Sequence, residues 1–254
     1  MNWERVLRNT QAIKTSVLTT MESREFHSKV KRLGDLDDST QTLHKDVKQL
    51  NEREMNAFKA EKKLVGDLCS CSSIREDPSL RDALQRWNEH IKYHEDYLNS
   101  MINDTSRVMI EPIKRLLTEF PKIKEMIKKR DQLLIEYEKC QQKVDKLKKK
   151  ERTGPNVVKL DTARKSLSAI KKEFEEENEA LLDYMTSLYE QRADYLTPSI
   201  HALINIEICH IAEGFRFYSE LEASVDTQKD KGQEESAKDD RFNEFKSLTI
   251  VSTD

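Results

Sequence analysis

Glycine and proline are scarce in this chain of 254 residues, which holds five of each. A chain of that length with average composition would carry about 30 of the two together. β-Sandwiches, β-barrels and doubly wound α/β folds need a turn about every ten residues, so the scarcity argues against all three. It favours an all-α protein made of a few long helices.

Long apolar runs are also missing. The longest uncharged stretch, residues 195–206, contains Pro198 and His201, whereas a membrane-spanning helix needs about 20 apolar residues. The first residues have no apolar secretory core, and the four cysteines lack the spacing of a disulfide framework or a zinc site. We therefore expect a cytoplasmic protein with reduced thiols.

Motifs for catalysis or for binding a metal or cofactor are absent too. His90 and His94 are spaced by one helical turn, but no third ligand accompanies them. Residues 35–46 approximate a calcium loop, except that Thr40 and Asp46 stand where such loops need Gly and Glu. No glycine-rich phosphate loop is present. We predict a protein that is not an enzyme and that has no cofactor or metal.

Apolar side chains recur at helical spacing over three long segments, residues 23–68, 80–151 and 156–223. The pattern continues through Pro112 and Pro121, and Pro198 lies within the third segment, so we expect these prolines to kink helices and not to end them. Short loops make neighbouring helices antiparallel. The predicted fold is an elongated three-helix antiparallel coiled coil with Pro-kinked helices.

Composition divides the chain into three parts. Residues 1–20 form an N-terminal amphipathic segment, residues 21–225 form the helical domain, and residues 226–254 form an acidic flexible tail with a short apolar C-terminal cluster. Apolar side chains near the end of the third helix exceed what one three-helix core needs. We therefore predict a dimer interface at Leu203, Ile206, Ile211 and Phe215.

Positive charge is concentrated around the turn at Gly154-Pro155. The whole chain has a net charge of −3, but residues 122–172 hold 17 Lys and Arg against 7 Asp and Glu. A solvated helix face would mix both signs, so a polyanionic partner explains the block better. Nucleic acid is the weaker choice, because the block has few aromatic residues and no nucleic-acid motif. The predicted membrane-binding residues are Lys128, Lys129, Arg130, Lys139, Lys143, Lys146, Lys148, Lys149, Lys150, Arg152, Lys165 and Lys172.

Short motifs occur in order along the second and third helices. The second helix contains Glu111-Pro112-Ile113-Lys114, Phe120-Pro121 and Lys128-Lys129-Arg130-Asp131. The third contains Ser187-Leu188-Tyr189-Glu190-Gln191-Arg192 and Tyr218-Ser219-Glu220-Leu221-Glu222. With these motifs the chain resembles the BAR domain family of the amphiphysin/Rvs type. Further matches at Arg152-Thr153-Gly154-Pro155, Asp194-Tyr195-Leu196-Thr197-Pro198-Ser199 and Leu248-Thr249-Ile250-Val251 narrow the resemblance to shorter members related to the yeast Rvs proteins.

The resemblance implies a dimer that forms a crescent-shaped six-helix bundle and binds curved anionic membranes. It implies a homodimer, or a heterodimer with another BAR protein, at the cytoskeleton and the peripheral membrane. It also implies roles in actin organisation, endocytosis and cytokinesis, with actin-regulating proteins and Cdc42-type GTPase pathways as candidate partners. The first segment is similar to membrane-inserting helices of this family, so Trp3, Val6, Leu7 and Ile13 would insert.

Alternatives remain at this stage. The first segment can instead fray or pack on the bundle. The whole chain can be a cytoskeletal coiled-coil protein that binds partners without lipid, or a nucleic-acid binder with a basic end.

Overall fold

The computed structural model describes residues 2–151 and 153–226, and every regular element within them is a helix. Most of the predicted acidic tail and Arg152 therefore lie outside the described residues. The helices are α1 (Trp3–Ala12), α2 (Thr20–Ser70), α3 (Ser72–Arg75), α4 (Pro78–Thr105), a π-helical turn (Ser106–Ile110), α5 (Glu111–Leu117), α6 (Glu119–Lys148), α7 (Gly154–Glu190) and α8 (Arg192–Asp226). The all-α prediction is confirmed.

The helical path continues past the prolines, as predicted. Pro112 is the second residue of α5, and Glu111 separates it from the π-helical turn. The junction residues Ile110 and Thr118 both keep right-handed helical dihedral angles. Pro198 lies inside α8. The π-helical turn directly before α5 absorbs one extra residue, which is a common accommodation next to a proline.

The chain forms two compact units. The first comprises Met1–Glu54 and Met101–Ile206, and the second comprises Met55–Ser100 and Glu207–Asp254. In the first unit α6 and α7 pack along each other, and the turn between them surrounds Gly154, where the sequence predicted it. The basic block therefore lies on both helices of one hairpin.

The core of the first unit is a stripe with alternating spacings of three and four residues. Its members on α5 and α6 are Ile113, Leu116, Phe120, Ile123 and Ile127, and all are buried. Leu116, Phe120, Ile123 and Ile127 pack with buried residues of the neighbouring helices, namely Val30, Leu33, Leu181 and Met185. This narrow stripe is what a chain with 36% hydrophobic residues can supply over such long helices.

The second unit has a core rich in aromatic and histidine rings. The ring centroids of His90 and His94 are 5.4 Å apart, and those of His94 and His210 are 5.8 Å apart. His90 also stacks on buried Phe217. Within the described residues, no three His, Cys, Asp or Glu side chains are arranged to hold a metal ion. These histidines therefore serve as ring-packing groups in the core.

Burial is the main reason that the pKa of His90 falls from 6.5 to about 4. The neighbouring His94 and Arg216 lower it further, while Glu61 and Glu213 act in the opposite direction. Between these two pH values the unfolded chain binds more protons at this position than the folded chain does. The contribution of His90 to stability is therefore complete above its unfolded pKa and declines as the pH falls toward its folded pKa.

We expect His90→Gln to reduce the pH dependence of stability. The wild-type unfolding temperature should drop between about pH 7.5 and about pH 5.5, and the drop should be smaller in the variant because the group that gains a proton on unfolding is gone. Circular dichroism at both pH values measures the difference, which is independent of any constant cost of the substitution. Equal drops in the two proteins would contradict the assignment.

Candidate functional site

The basic residues of the α6–α7 hairpin are almost all exposed. Ten of the twelve predicted membrane-binding residues have exposed side chains, while Arg152 lies outside the described residues and Arg130 is buried. The exposed ones are Lys128, Lys129, Lys139, Lys143, Lys146, Lys148, Lys149, Lys150, Lys165 and Lys172. The hairpin thus brings most of the predicted cations to the surface of one unit.

Ion pairing separates these lysines into two groups. Lys128, Lys148 and Lys172 each pair with a carboxylate three or four residues away on the same helix, at 3.7, 3.4 and 3.7 Å. Lys129 pairs with Glu177 across the hairpin. Such exposed pairs are worth about 0–1 kcal/mol, but they neutralise part of the local charge. These four lysines are therefore the weaker candidates for attracting an anionic partner.

Four other lysines line one open groove on α6 together with Gln142 and Leu147. They are Lys139, Lys143, Lys146 and Lys150, termed here the lysine groove. Within the part of the chain that the structure describes, none of them has a carboxylate oxygen within 4.0 Å. Lys139, Lys143 and Lys146 are spaced by four and three residues and lie on one face of α6, and Lys150 follows two residues after the helix ends at Lys148. The groove is a concentration of uncompensated positive charge.

Arg130 differs from the expectation of a membrane-facing cation. Its side chain is only 4% exposed, and its guanidinium carbon lies 4.0 Å from the centroid of Phe26 and 5.4 Å from that of Phe174. Its Nη1 donates to Asp131 at 3.0 Å and its Nε to Asn178 at 3.0 Å. Arg130 is therefore a buried structural cation. Arg130 was predicted to bind a membrane as part of the basic block at residues 122–172.

Burial dominates the titration of both members of this pair. It lowers the pKa of Arg130, against the opposing effect of Asp131. It also raises the pKa of Asp131, although the hydrogen bond from Arg130 acts to lower it. Burying Arg130 and Asp131 therefore costs desolvation free energy. Each charge needs the other as its partner in the protein interior.

The predicted membrane-inserting residues lie against the bundle. Trp3 and Val6 are 6% and 3% exposed, and half-buried Leu7 packs against the same core cluster. Half-buried Ile13 packs against Leu133, Leu134 and Phe174. This differs from the predicted position at a membrane. The alternative of a helix packed on the bundle matches the structure, because the apolar face of α1 meets an apolar surface of α2 and α6.

The predicted dimer residues fall into two classes. Half-buried Leu203 packs within the first unit against the cluster of Val47, Met109, Ile110 and Ile113, so its apolar surface is partly used there. Ile206 is half-buried as well. Ile211 and Phe215, in the second unit, are 68% and 76% exposed. Only the latter two leave a large apolar surface without cover in a single chain.

Two further residues of the second unit expose large apolar side chains. Ile208 is 58% exposed and Tyr93 is 55% exposed. Ile208, Ile211 and Phe215 follow each other at spacings of three and four, which is the signal of one helix face. The apolar face formed by these three residues is termed here the α8 face. No helix in the described residues is both long and apolar enough to cross a membrane.

The comparison with protein families decides the classification. A family model for the BAR domain matches residues 8–227. The chain belongs to the BAR domain family. BAR proteins are non-enzymatic structural adaptors that dimerise and bind membranes. The resemblance read from the motifs of the second and third helices is therefore confirmed.

Curated relatives agree with this assignment. Bridging integrator 3 of Mus musculus and of Homo sapiens are each 28% identical over 242 residues, which is 95% of this chain and 96% of theirs. The regulator of cytoskeleton and endocytosis RVS161 of Candida albicans is 27% identical over 63% of this chain and 62% of its own length. In structure, the amphiphysin BAR domain from Drosophila matches with a TM-score of 0.69 at 24% identity, covering 85% of this chain and 97% of that domain. That match supports the BAR fold.

We expect Arg130→Ala to destabilise the chain by about 3–5 kcal/mol, because it leaves the buried Asp131 carboxylate without its partner. It also removes the two ring contacts of the guanidinium. The matched control is Lys129→Ala, one residue away and 54% exposed, which should cost less than about 1 kcal/mol. Urea unfolding followed by circular dichroism measures both. Similar costs for the two variants would show that Arg130 has no buried structural role.

Proposed function

We propose that this chain is a BAR-domain adaptor that binds curved anionic membranes as a dimer and links them to actin organisation, endocytosis and cytokinesis. The observation that carries the proposal is the lysine groove, four exposed lysines that line one groove and have no carboxylate partners in the described residues. The printed name of the Candida albicans relative, regulator of cytoskeleton and endocytosis, supports the cellular role.

Electrostatic attraction is strong enough for this role. A lysine close to an anionic bilayer contributes about 1 kcal/mol. Two copies of the lysine groove would therefore supply about 8 kcal/mol before the cost of immobilising the protein. The attraction weakens within about 8 Å at physiological ionic strength, so binding should fall as salt rises. The paired residues Lys128, Lys129, Lys148 and Lys172, together with Lys149 and Lys165, extend the positive surface.

Dimerisation is supported by the α8 face. An exposed row of Ile208, Ile211 and Phe215 is costly in water and fits a second apolar surface. In a two-fold dimer the same face meets its copy. A heterodimer with another BAR protein would use the same residues. The working locations we propose are the cytoplasm, the cytoskeleton and the peripheral membrane, with actin-regulating proteins of Cdc42-type pathways as partners.

We expect Lys139→Glu/Lys143→Glu/Lys146→Glu to abolish most vesicle binding. Losing three attractive lysines removes about 3 kcal/mol per copy, which is roughly a hundredfold in affinity. The measurement is sedimentation with phosphatidylserine vesicles, with phosphatidylcholine vesicles as the neutral comparison. Wild-type protein should sediment with the former, and less so at high salt.

The matched control reverses three exposed lysines elsewhere in the first unit, as Lys31→Glu/Lys45→Glu/Lys48→Glu. This control changes the net charge by the same amount as the variant of the lysine groove, and it should retain most of the vesicle binding. Equal loss in both variants would mean that overall charge and not the lysine groove governs the attraction. Indifference of the wild type to phosphatidylserine would instead favour the cytoskeletal coiled-coil protein that acts without lipid.

We expect Ile211→Asp and Phe215→Asp to weaken self-association. Each removes an apolar side chain worth about 1.5–3 kcal/mol from both copies of a two-fold interface. That loss corresponds to roughly a hundredfold or more in the dimer dissociation constant. Light scattering across a concentration series measures it.

The two exposures, 68% and 76%, mean that these variants should still fold. Met21→Asp, at a 79% exposed position in the first unit, is the control for adding a carboxylate to an exposed apolar site. A dimer that tolerates both α8 variants would place the interface on another surface.

A further inference from the structure

Residues 2–19, termed here the N-terminal strap, are held against the rest of the first unit at two buried carboxylates. Resting on the membrane binding proposed above, we propose that Asp37 and Glu138 hold this strap on the bundle while the chain binds a membrane. The strap then braces the helices, and Trp3 stays in the protein core. Bilayer contact is left to the lysines of the α6–α7 hairpin.

The first attachment is centred on Trp3. Its indole Nε1 donates to Asp37 Oδ2 at 2.6 Å, and its ring meets Phe120 edge to face with centroids 6.4 Å apart. Lys124 Nζ lies 4.6 Å from the centre of the indole and donates to the same carboxylate oxygen at 2.9 Å. The indole of Trp3 therefore contacts both members of an ion pair, Asp37 and Lys124, in addition to apolar side chains.

The backbone of α2 is shaped for this indole. A Cβ atom added at Gly34 would lie 3.1 Å from the Trp3 Cβ and 3.2 Å from its Cγ. A glycine in the middle of a long helix costs helix stability, so its value here is the close approach that it permits. The lack of a side chain at Gly34 thus allows α1 to pack closely against α2 at this position.

Asp37 depends on these donors. Burial acts to raise its pKa, but hydrogen bonds from Gln41, Lys124 and Trp3 outweigh burial and keep the pKa below its ordinary value. The carboxylate is therefore charged in the core. If Trp3 left, this buried charge would lose one of its three hydrogen-bond donors.

The second attachment is centred on Glu138 of α6. Its Oε2 accepts from Ser16 N at 2.8 Å and from Thr15 Oγ1 at 3.1 Å, and its Oε1 accepts from Ser16 Oγ at 2.9 Å. Burial acts to raise its pKa, yet these bonds and the one from Gln142 lower it. Val17 and Leu18 pack beside this site on the cluster of Leu133, Leu134 and Phe174.

A capping box fixes the end of the strap. Thr19 N donates to Glu22 Oε2 at 2.7 Å, and Glu22 N donates to Thr19 Oγ1 at 3.1 Å. This reciprocal pair satisfies orphan donors at the start of α2 and sets the direction in which the chain enters it. The strap is thus held near both its ends.

Insertion offers little to offset the loss of these contacts. Trp3 and Val6 are already removed from water, so moving them from the core into lipid gains no further apolar burial. Undocking would instead expose core surface of α2 and α6 and leave two buried carboxylates with fewer donors. The balance favours the docked strap on a membrane as well as in solution.

The test uses the full chain with Trp87→Phe, because Trp3 is then the remaining one of two tryptophans. In solution, Asp37→Asn/Glu138→Gln should shift the Trp3 emission to longer wavelength and raise its quenching by acrylamide, with helicity retained. The control Asp38→Asn/Glu136→Gln alters exposed carboxylates on the same helices and should change neither quantity. An unchanged emission in the first variant overturns the role of the two carboxylates.

The second measurement adds phosphatidylserine vesicles that contain brominated lipid. The chain with intact carboxylates should sediment without quenching of Trp3, whereas the Asp37→Asn/Glu138→Gln variant should be quenched. Quenching of the chain with intact carboxylates overturns the docked strap, even though it would agree with membrane binding. Failure to sediment would overturn the proposed function and with it the bracing role on membranes, while the solution measurement still decides how the strap is held.

Discussion

The fold depends on narrow apolar stripes that must find partners over long helices. With charged residues at 36% and hydrophobic residues at 36%, each helix can supply one buried face and little more. The stripe from Leu116 to Ile127 meets α2 and α7 in the first unit, and Phe58, Val65, Ile91 and Phe217 are buried in the second. Gly154 and Pro155 begin α7 at the hairpin, and Pro112 follows the π-helical turn.

Buried charges compensate for the thinness of this core. Arg130 fills space between Phe26 and Phe174, and Asp37 and Glu138 receive donors from the N-terminal strap. Each of these groups is satisfied by partners far apart in the sequence, so the pairs specify which helix faces meet. A purely apolar stripe of similar side chains could slide by one helical turn at low cost. Hydrogen-bonded charges cannot, because a shifted register leaves them unpaired.

Periodicity and the distribution of breakers predicted the helices, the hairpin turn and the core stripe, because these depend on local spacing. They could not predict which charged residues are buried. Lys129 and Arg130 are adjacent and equally basic, and only the tertiary contacts with Phe26 and Asn178 distinguish them. The packing of Trp3 on the bundle could not be predicted either, because an amphipathic helix can turn the same apolar face to lipid or to protein. A glycine in the middle of a long helix, at position 34, was the available signal.

The lysine groove and the α8 face both lack a partner within a single chain, and they need partners of different chemistry. The lysine groove requires negative charge, which can be diffuse and exchangeable, so its partner can be a fluid surface. The α8 face requires matched apolar shape, which a fluid anionic surface does not supply but a second folded helix does. If lipid binds the lysine groove and a BAR chain binds the α8 face, each surface gains the kind of contact that a single chain does not supply. The reverse assignment would leave lysines buried in a protein interface and isoleucines at a charged lipid surface, and both arrangements cost free energy.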